Sequence, residues 1–140
     1  MAQLRPEVWE VIDSLPRSQV PKAVQLAFKL RYPGIRPLFW FQLNDDYEAQ
    51  FLSQERTTSV EFSKTGHWIN TEKVLTEEDF PVQIMDYVRR NFPDYELDTV
   101  IEEDSPIGKY YDVTIIYEDL DQELVFDFRG NFLRKVEAPE

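Results

Sequence analysis

Hydrophobic residues recur every three or four positions in two stretches of the chain, and each stretch has a proline as its second residue. Pro21 and Pro81 suit the first turn of a helix, where the missing N–H costs no hydrogen bond. Pro33 and Pro93 end the two patterns, because the residue before a proline disfavours helical geometry. The periodic positions are Val20, Val24, Ala27, Phe28 and Tyr32 in the first stretch, and Phe80, Ile84, Tyr87, Val88 and Phe92 in the second. The spacing predicts one amphipathic helix in each half of the chain.

Alternating apolar and polar residues follow each predicted helix, and this pattern is typical of half-buried strands. Eight strands are predicted, near residues 36–43, 46–54, 57–63, 67–74, 95–103, 109–118, 122–128 and 131–137. Gly66 and Gly130 are placed for short hairpin loops that need a left-handed residue. Short connections of this kind join antiparallel strands.

The two halves of the chain are copies of one unit, and such a duplication indicates a repeated fold. Residues 20–33 align with residues 80–93 at a spacing of 60, and residues 60–68 align with residues 124–132 at a spacing of 64. The difference implies a four-residue insertion, which we assign to residues 105–108. We predict an α+β fold of two tandem helix-plus-four-strand repeats, forming a continuous antiparallel sheet with the helices packed on one face.

The predicted domain organisation has three parts within one structural domain. An N-terminal helical extension covers residues 1–17, with a short helix near residues 6–14 that carries Val8, Trp9 and Ile12 on one side. The first repeat covers residues 18–76 and the second covers residues 77–140. The predicted core residues are Phe28, Tyr32, Phe51, Phe62, Val88, Phe92, Ile115 and Phe126.

Charge narrows the partners that this chain is expected to bind. The net charge is −12, and residues 71–140 account for all of it with seven basic and nineteen acidic residues. Because such a surface repels phosphate groups, we expect neither nucleic acid nor an anionic membrane as a partner. A protein or peptide with a basic patch remains possible, and no apolar run is long enough to insert in a membrane.

The residues that could carry chemistry are few, so we expect no enzyme, metal site or cofactor. The chain has no cysteine and one histidine. His67 follows a hairpin glycine and aligns with Asn131, which favours a polar turn position over a catalytic role. The acidic clusters at residues 44–46, 102–104 and 118–121 lack the ligand spacing of a calcium loop and are expected to be solvated turns.

Apolar residues on the far side of the predicted sheet are the strongest sign of function. If Phe39, Phe41 and Leu43 face the helices, the alternation turns Trp40 and its neighbours outward. We therefore predict a partner-binding surface of Leu38, Trp40, Gln42, Gln50, Leu52 and Ile69, and the second repeat would present Val100, Ile116, Val125 and Leu133. An exposed tryptophan is often the anchor of a protein interface. The alternatives are that the N-terminal segment or a second chain covers this face, or that the alternation is shifted by one residue.

The order of these motifs resembles the PepSY-like family over about residues 18–137. The resemblance rests on residues 20–33, a strand with Trp40, residues 47–51 and 62–68, and their repetition between Phe80 and Phe132. It implies a fold similar to that of beta-lactamase inhibitory protein, which grips its target with its sheet. It also implies a bacterial protein with no catalytic residues. Relatives usually carry a signal peptide, so we expect a periplasmic or secreted protein if one was removed, and a cytoplasmic one if Met1 is native.

Three functions follow from these observations. The favoured one is a non-enzymatic module, of binding or inhibitory type, that holds a protein or peptide on the open face of the sheet. The first alternative is a structural or envelope-associated domain whose aromatic residues serve oligomerisation. A weaker alternative is an acidic mimic of DNA that binds a basic partner.

Overall fold

The structure is a computed structural model and describes residues 14–136. The helix predicted near residues 6–14, with Val8, Trp9 and Ile12, falls outside the described residues. The chain divides into two compact units, of which the first ends at Lys73 and the second begins at Val74. Each unit contains one α-helix with strands that alternate in direction.

The helices and strands follow the predicted order. The first half contains a 3₁₀ helix at Arg17–Gln19, α1 at Lys22–Arg31, β1 at Phe39–Leu43, β2 at Asp46–Ser53, β3 at Arg56–Ser63 and β4 at Trp68–Leu75. The second half contains α2 at Val82–Asn91, β5 at Glu96–Ser105, β6 at Gly108–Tyr117, β7 at Leu120–Asp127 and β8 at Phe132–Val136. The strands form an eight-stranded antiparallel sheet in chain order. The predicted α+β fold, a helix followed by four strands and then repeated, is confirmed.

The core of the first unit lies between α1 and the strands that follow it. Val24 and Phe28 are the buried residues of α1. Phe28 meets Phe51 edge to face with ring centroids 5.2 Å apart, and it meets Trp40 at 5.8 Å. The other members of this core are Val20, Ala49, Val60 and Phe62. The ring of Phe28 therefore packs α1 against β1 and β2. Aromatic pairs of this kind contribute about 0.5–1.5 kcal/mol to stability beyond the burial of their surface.

The second unit has a core of the same design, between α2 and its strands. Ile84, Met85 and Val88 are the buried residues of α2. They belong to one cluster with Leu75, Phe80, Val100, Tyr111, Val113, Ile115, Leu124 and Phe126. Tyr87 stacks on Phe132 with centroids 4.5 Å apart. In both units the apolar stripe of the helix covers one face of its strands.

The predicted core residues are confirmed, with two at its margin. Six of the eight are at most 1% exposed, whereas Tyr32 and Phe92 are partly buried and pack against the two clusters. The insertion is also where it was expected. The β5–β6 hairpin turns at Pro106 and Ile107 and is longer than the β1–β2 hairpin, which turns at Asn44 and Asp45.

The predicted alternation in β1 is wrong by one residue. Trp40 is 6% exposed and lies in the core of the first unit, so it faces α1. Its partner across the hairpin is Ala49, whose small side chain leaves room for the indole beside Phe28. The aligned residue Val100 is likewise 2% exposed and belongs to the core of the second unit, so its outward assignment is also wrong.

Candidate functional site

The six residues predicted to bind a partner are separated by the structure. Gln50 and Leu52 alternate with the core residues Ala49 and Phe51 of β2, so they face away from α1. Leu52 is 54% exposed. These two residues share a face as predicted, and their role in binding stays a prediction.

The other four residues do not lie on that face as a group. Trp40 is buried under α1, which removes the predicted anchor. Leu38 and Gln42 are two positions before and after Trp40, so they lie on the same side of the sheet as Trp40, and both are exposed. Ile69 is half-buried at the irregular register between β3 and β4.

Carboxyl groups dominate the face of the first unit that is turned away from α1. We call Asp46, Glu48, Gln50 and Glu61 the first-unit acidic face. Glu48 of β2 lies directly opposite Glu61 of β3. The side-chain amide of Gln50 donates a hydrogen bond of 2.9 Å to Glu48 Oε1, and Gln50 Oε1 has no partner among the described residues. Like charges facing each other across two strands destabilise a sheet, so this arrangement is costly unless a proton or a cation is present.

The closeness of these carboxyl groups also affects the pKa values of Glu61 and Glu48. Burial raises the pKa of Glu61 to about 7, and a hydrogen bond with Asp46 and the charges of Asp46 and Glu48 act in the same direction. Burial also raises the pKa of Glu48, although the hydrogen bond from Gln50 partly offsets it. Glu48 is 6% exposed, whereas Asp46 and Glu61 are half-buried. A cationic group arriving at this face would therefore meet Asp46 and Glu61 before Glu48.

Further polar side chains line the neighbouring strands of this face. Ser59, Asn70 and Glu72 are each buried, with Ser59 opposite both Gln50 and Glu72. Buried polar groups are expensive unless they are hydrogen-bonded, and a sheet face kept only for packing favours apolar side chains. The composition of this face is thus more suited to polar recognition than to packing.

A second carboxyl cluster lies on the face of the second unit that is turned away from α2. We call Glu103, Asp112, Glu123 and Arg134 the second-unit acidic face. Asp112 of β6 lies between the buried aliphatic residues Ile101 and Val125 of the adjacent strands. Its Oδ1 atom is buried without a hydrogen-bond partner among the described residues.

The aliphatic neighbours explain the protonation of Asp112. Burial raises its pKa to about 7, and the charges of Glu123 and Glu103 add to this while Arg134 opposes it. Burial also raises the pKa of Glu103. Asp112 can therefore exchange a proton near neutrality, and in its ionised form it is a natural partner for a cation.

The described residues offer no metal centre at either face. Within residues 14–136, no group of three or more His, Cys, Asp or Glu side chains could hold a metal ion. His67 lies in the β3–β4 turn, where its Nδ1 atom is 2.9 Å from Thr65 Oγ1. No helix among the residues that the structure describes is long and apolar enough to cross a membrane.

The acidic residues of both faces were missed by the sequence analysis. In the sequence they resemble the many acidic residues of the solvated turns. One signal was available, because Glu48 and Gln50 alternate with Tyr47, Ala49 and Phe51, and Phe51 was a predicted core residue. The same alternation places Asp112 between Tyr111 and Val113.

The sequence from residue 45 to residue 134 matches the family described as "Putative beta-lactamase-inhibitor-like, PepSY-like". The match begins in the β1–β2 turn, after α1 and β1, and includes β2 to β4 and the second unit as far as β8. The chain belongs to the PepSY-like family. Among curated proteins, no match was found.

Several solved structures with this fold come from Bacteroides. A BLIP-like protein of Bacteroides fragilis superposes with a TM-score of 0.75 at 24% identity, over 87% of this chain and 86% of that one. A "putative periplasmic" protein of Bacteroides eggerthii has a TM-score of 0.75 at 21% identity, over 84% of this chain and 88% of that one. At these identities the structures establish a shared fold for this PepSY-like chain, and the two acidic faces are properties of its own residues.

Proposed function

We propose that this PepSY-like chain is a non-catalytic binding domain that takes a cationic segment of a partner protein on the first-unit acidic face. The observation that carries the proposal is the direct opposition of Glu48 and Glu61 across β2 and β3. Two carboxyl groups in this position repel each other when both are ionised. An arginine or lysine of a partner would stabilise the ionised form of both. The family description and the BLIP-like structure support binding as the kind of function to test.

The apolar contribution to binding would come from Leu52. It is exposed and follows Glu48 by four positions on the same face of β2. At a strand rise of roughly 3.3 Å per residue, these two positions are about 13 Å apart. An extended partner segment with a cation and an aliphatic residue four positions apart would reach both. The cation would set specificity and association rate, and Leu52 would slow dissociation.

Binding of a cation at this face should depend on pH. Since the pKa of Glu61 is about 7, the group is largely neutral at pH 6 and ionised at pH 8. Only the ionised form pairs with a partner's cation, so the affinity should rise between these pH values. An oligomerising domain and a DNA mimic remain predictions without a specific observation in their favour.

The test uses a labelled extended peptide in which arginine and leucine stand four positions apart. The matched peptide carries citrulline, which keeps the shape of arginine and removes its charge. We expect the arginine peptide to bind more tightly than the citrulline peptide. We expect Glu61→Gln to lower the affinity for the arginine peptide about tenfold, as losing a charged hydrogen bond does. Fluorescence anisotropy at pH 6 and pH 8 measures both effects.

The control variant is Glu78→Gln, which removes an exposed carboxyl group before α2. It should leave the affinity within the error of the measurement. Equal binding of the arginine and citrulline peptides would overturn the proposal. So would an unchanged affinity of Glu61→Gln for the arginine peptide at pH 8.

A further inference from the structure

A cavity in the first unit lies on the side of the strands that faces α1, away from the first-unit acidic face. Its volume is about 490 Å³, which is within the range of small-molecule sites. Phe28 of α1 and Trp40 of β1, which are 1% and 6% exposed, lie behind its wall, and Leu15, Ile35 and Leu38 supply the accessible aliphatic surface. Leu38 is 53% exposed, so the apolar lining continues to the mouth of the cavity.

The charged residues around this cavity are all basic. Arg17, Lys29 and Arg36 are among the lining residues, and no aspartate or glutamate is. This is unexpected in a chain with 27 acidic and 15 basic residues. Neither Lys29 nor Arg36 forms an ion pair with another described residue. The cavity therefore combines aliphatic side chains with positive charge that no carboxylate of the described residues neutralises.

Arg17 is held in position by hydrogen bonds. Its Nε atom donates to Gln25 Oε1 at 3.1 Å. The amide of Gln25 in turn donates to the carbonyl oxygens of Arg17 and Val20, at 3.1 and 2.9 Å. Because the guanidinium is bound through Nε, its two terminal nitrogens stay available as donors.

The second repeat shows that the fold does not require these residues. At the spacing of 60 positions, Arg17 aligns with Glu77 and Arg36 aligns with Glu96. Leu38 aligns with Asp98, and the aromatic Trp40 aligns with Val100. The same scaffold therefore carries acidic or smaller residues at these four places, whereas Lys29 aligns with the basic Arg89, so Arg17, Arg36, Leu38 and Trp40 are particular to the first repeat.

We propose that this cavity binds a small amphipathic carboxylate. The apolar body of the ligand packs against Leu15, Ile35 and Leu38, and its carboxylate pairs with Arg36 and Lys29 at the mouth. Arginine suits this role because its planar group can donate two hydrogen bonds to one carboxylate. The site is distinct from the acidic face, and its ligand has the opposite charge.

Dodecanoate, kept below its micelle concentration, is the probe for this site. Dodecyltrimethylammonium, which has the same apolar chain and a positive head, is the matched compound. Non-specific binding to a chain of net charge −12 would favour the cationic compound, whereas the cavity favours the carboxylate. We expect dodecanoate to shift the NMR signals of Phe28, Ile35 and the Trp40 indole, and the cationic compound to leave them in place.

Arg36→Glu introduces the residue found at the equivalent position of the second repeat. We expect it to weaken dodecanoate binding at least about tenfold, as losing a charged hydrogen bond does. Arg36→Gln should weaken dodecanoate binding less. Arg89 of α2 aligns with Lys29, and Arg89→Glu should leave dodecanoate binding unchanged. Amide spectra of the variants report whether each one is folded.

Three results would overturn the proposal. The first is that dodecanoate shifts no signal of the cavity residues. The second is that Arg36→Glu binds dodecanoate as tightly as the parent chain. The third is that the cationic compound produces the same shifts at the cavity.

Discussion

Gly66, in the β3–β4 hairpin, lies against the first turn of α1, so that a Cβ atom at position 66 would be 2.8 Å from the carbonyl oxygen of Ala23. The second unit repeats this contact, since a Cβ at Gly130 would be 3.2 Å from the Cβ of Gln83. Both glycines have positive φ angles, of 90° and 89°. Each hairpin thus reaches its helix only because the residue at that place has no side chain.

Gly66→Ala should destabilise the protein more than Gly34→Ala does. Both positions have a positive φ, which costs an alanine about 1–2 kcal/mol. A Cβ at Gly34 would meet nothing within 4 Å, whereas at Gly66 it would press on the helix backbone. We expect an additional loss of about 1–3 kcal/mol for Gly66→Ala, as overpacking causes. Urea unfolding of both variants measures the difference, and equal losses would show that the helix contact contributes nothing.

Trp40→Ala should lower the free energy of unfolding by about 3–5 kcal/mol, as truncation of a large core aromatic does. The indole packs against Phe28 in the core of the first unit, so its removal leaves a cavity. Leu52→Ala is the matched control, because Leu52 is 54% exposed and should change stability by less than about 0.5 kcal/mol. Similar losses for the two variants in urea unfolding would contradict the placement of Trp40.

Phe62 and Phe126 should be equally sensitive to truncation, because they occupy equivalent positions in β3 and β7. Phe62 is 1% exposed and Phe126 is 0% exposed. Replacing either by alanine should cost about 3–5 kcal/mol. The control is Phe128→Ala, since Phe128 is 57% exposed and should tolerate the change. A loss below about 1 kcal/mol for either core variant would be inconsistent with the cores described above.

Asp112→Asn should stabilise the protein above pH 7. The folded pKa of Asp112 is about 7 and the ordinary value is 3.8, so the folded state holds a proton that the unfolded state has released. The contribution of Asp112 to the free energy of unfolding is therefore largest below about pH 4, falls as the pH rises to 7, and is constant above it. Because solvent reaches part of this carboxyl, we expect a gain of only about 1 kcal/mol at pH 8 for Asp112→Asn.

The measurement for Asp112 is urea unfolding at pH 5 and pH 8. The difference in stability between the two pH values should be smaller in Asp112→Asn than in the parent chain. Asp121→Asn, at an exposed position of β7, is the control and should leave the difference unchanged. If Asp112→Asn were less stable than the parent chain at pH 8, the carboxylate would have a favourable partner in the folded state.

The candidate site was only partly predictable, and β1 shows why. Phe39, Trp40 and Phe41 are all apolar, so alternation alone does not say which of them faces the core. The two-residue turn at Asn44 and Asp45 settles the register, since it pairs Leu43 with Asp46 and hence Trp40 with Ala49. Cross-strand partners share a face, and alternation in β2 places Ala49 on the same face as Phe51, which was a predicted core residue. Turn length, applied before hydrophobicity, would have placed Trp40 correctly.

The sequence by itself determined the architecture of this protein. The architecture follows from hydrophobic patterns with periods of about 3.6 and 2, from paired prolines and glycines, and from the duplication. These signals are local or recur at a fixed spacing, so they can be seen without coordinates. Only the tertiary structure decided which polar residues matter. Whether Glu61 or Asp112 is an ordinary solvated acid depends on the strands beside it, which bring Glu48 opposite the first and Ile101 and Val125 alongside the second. The same holds for Arg17 and Arg36, because their shared cavity forms only when α1 packs over Trp40.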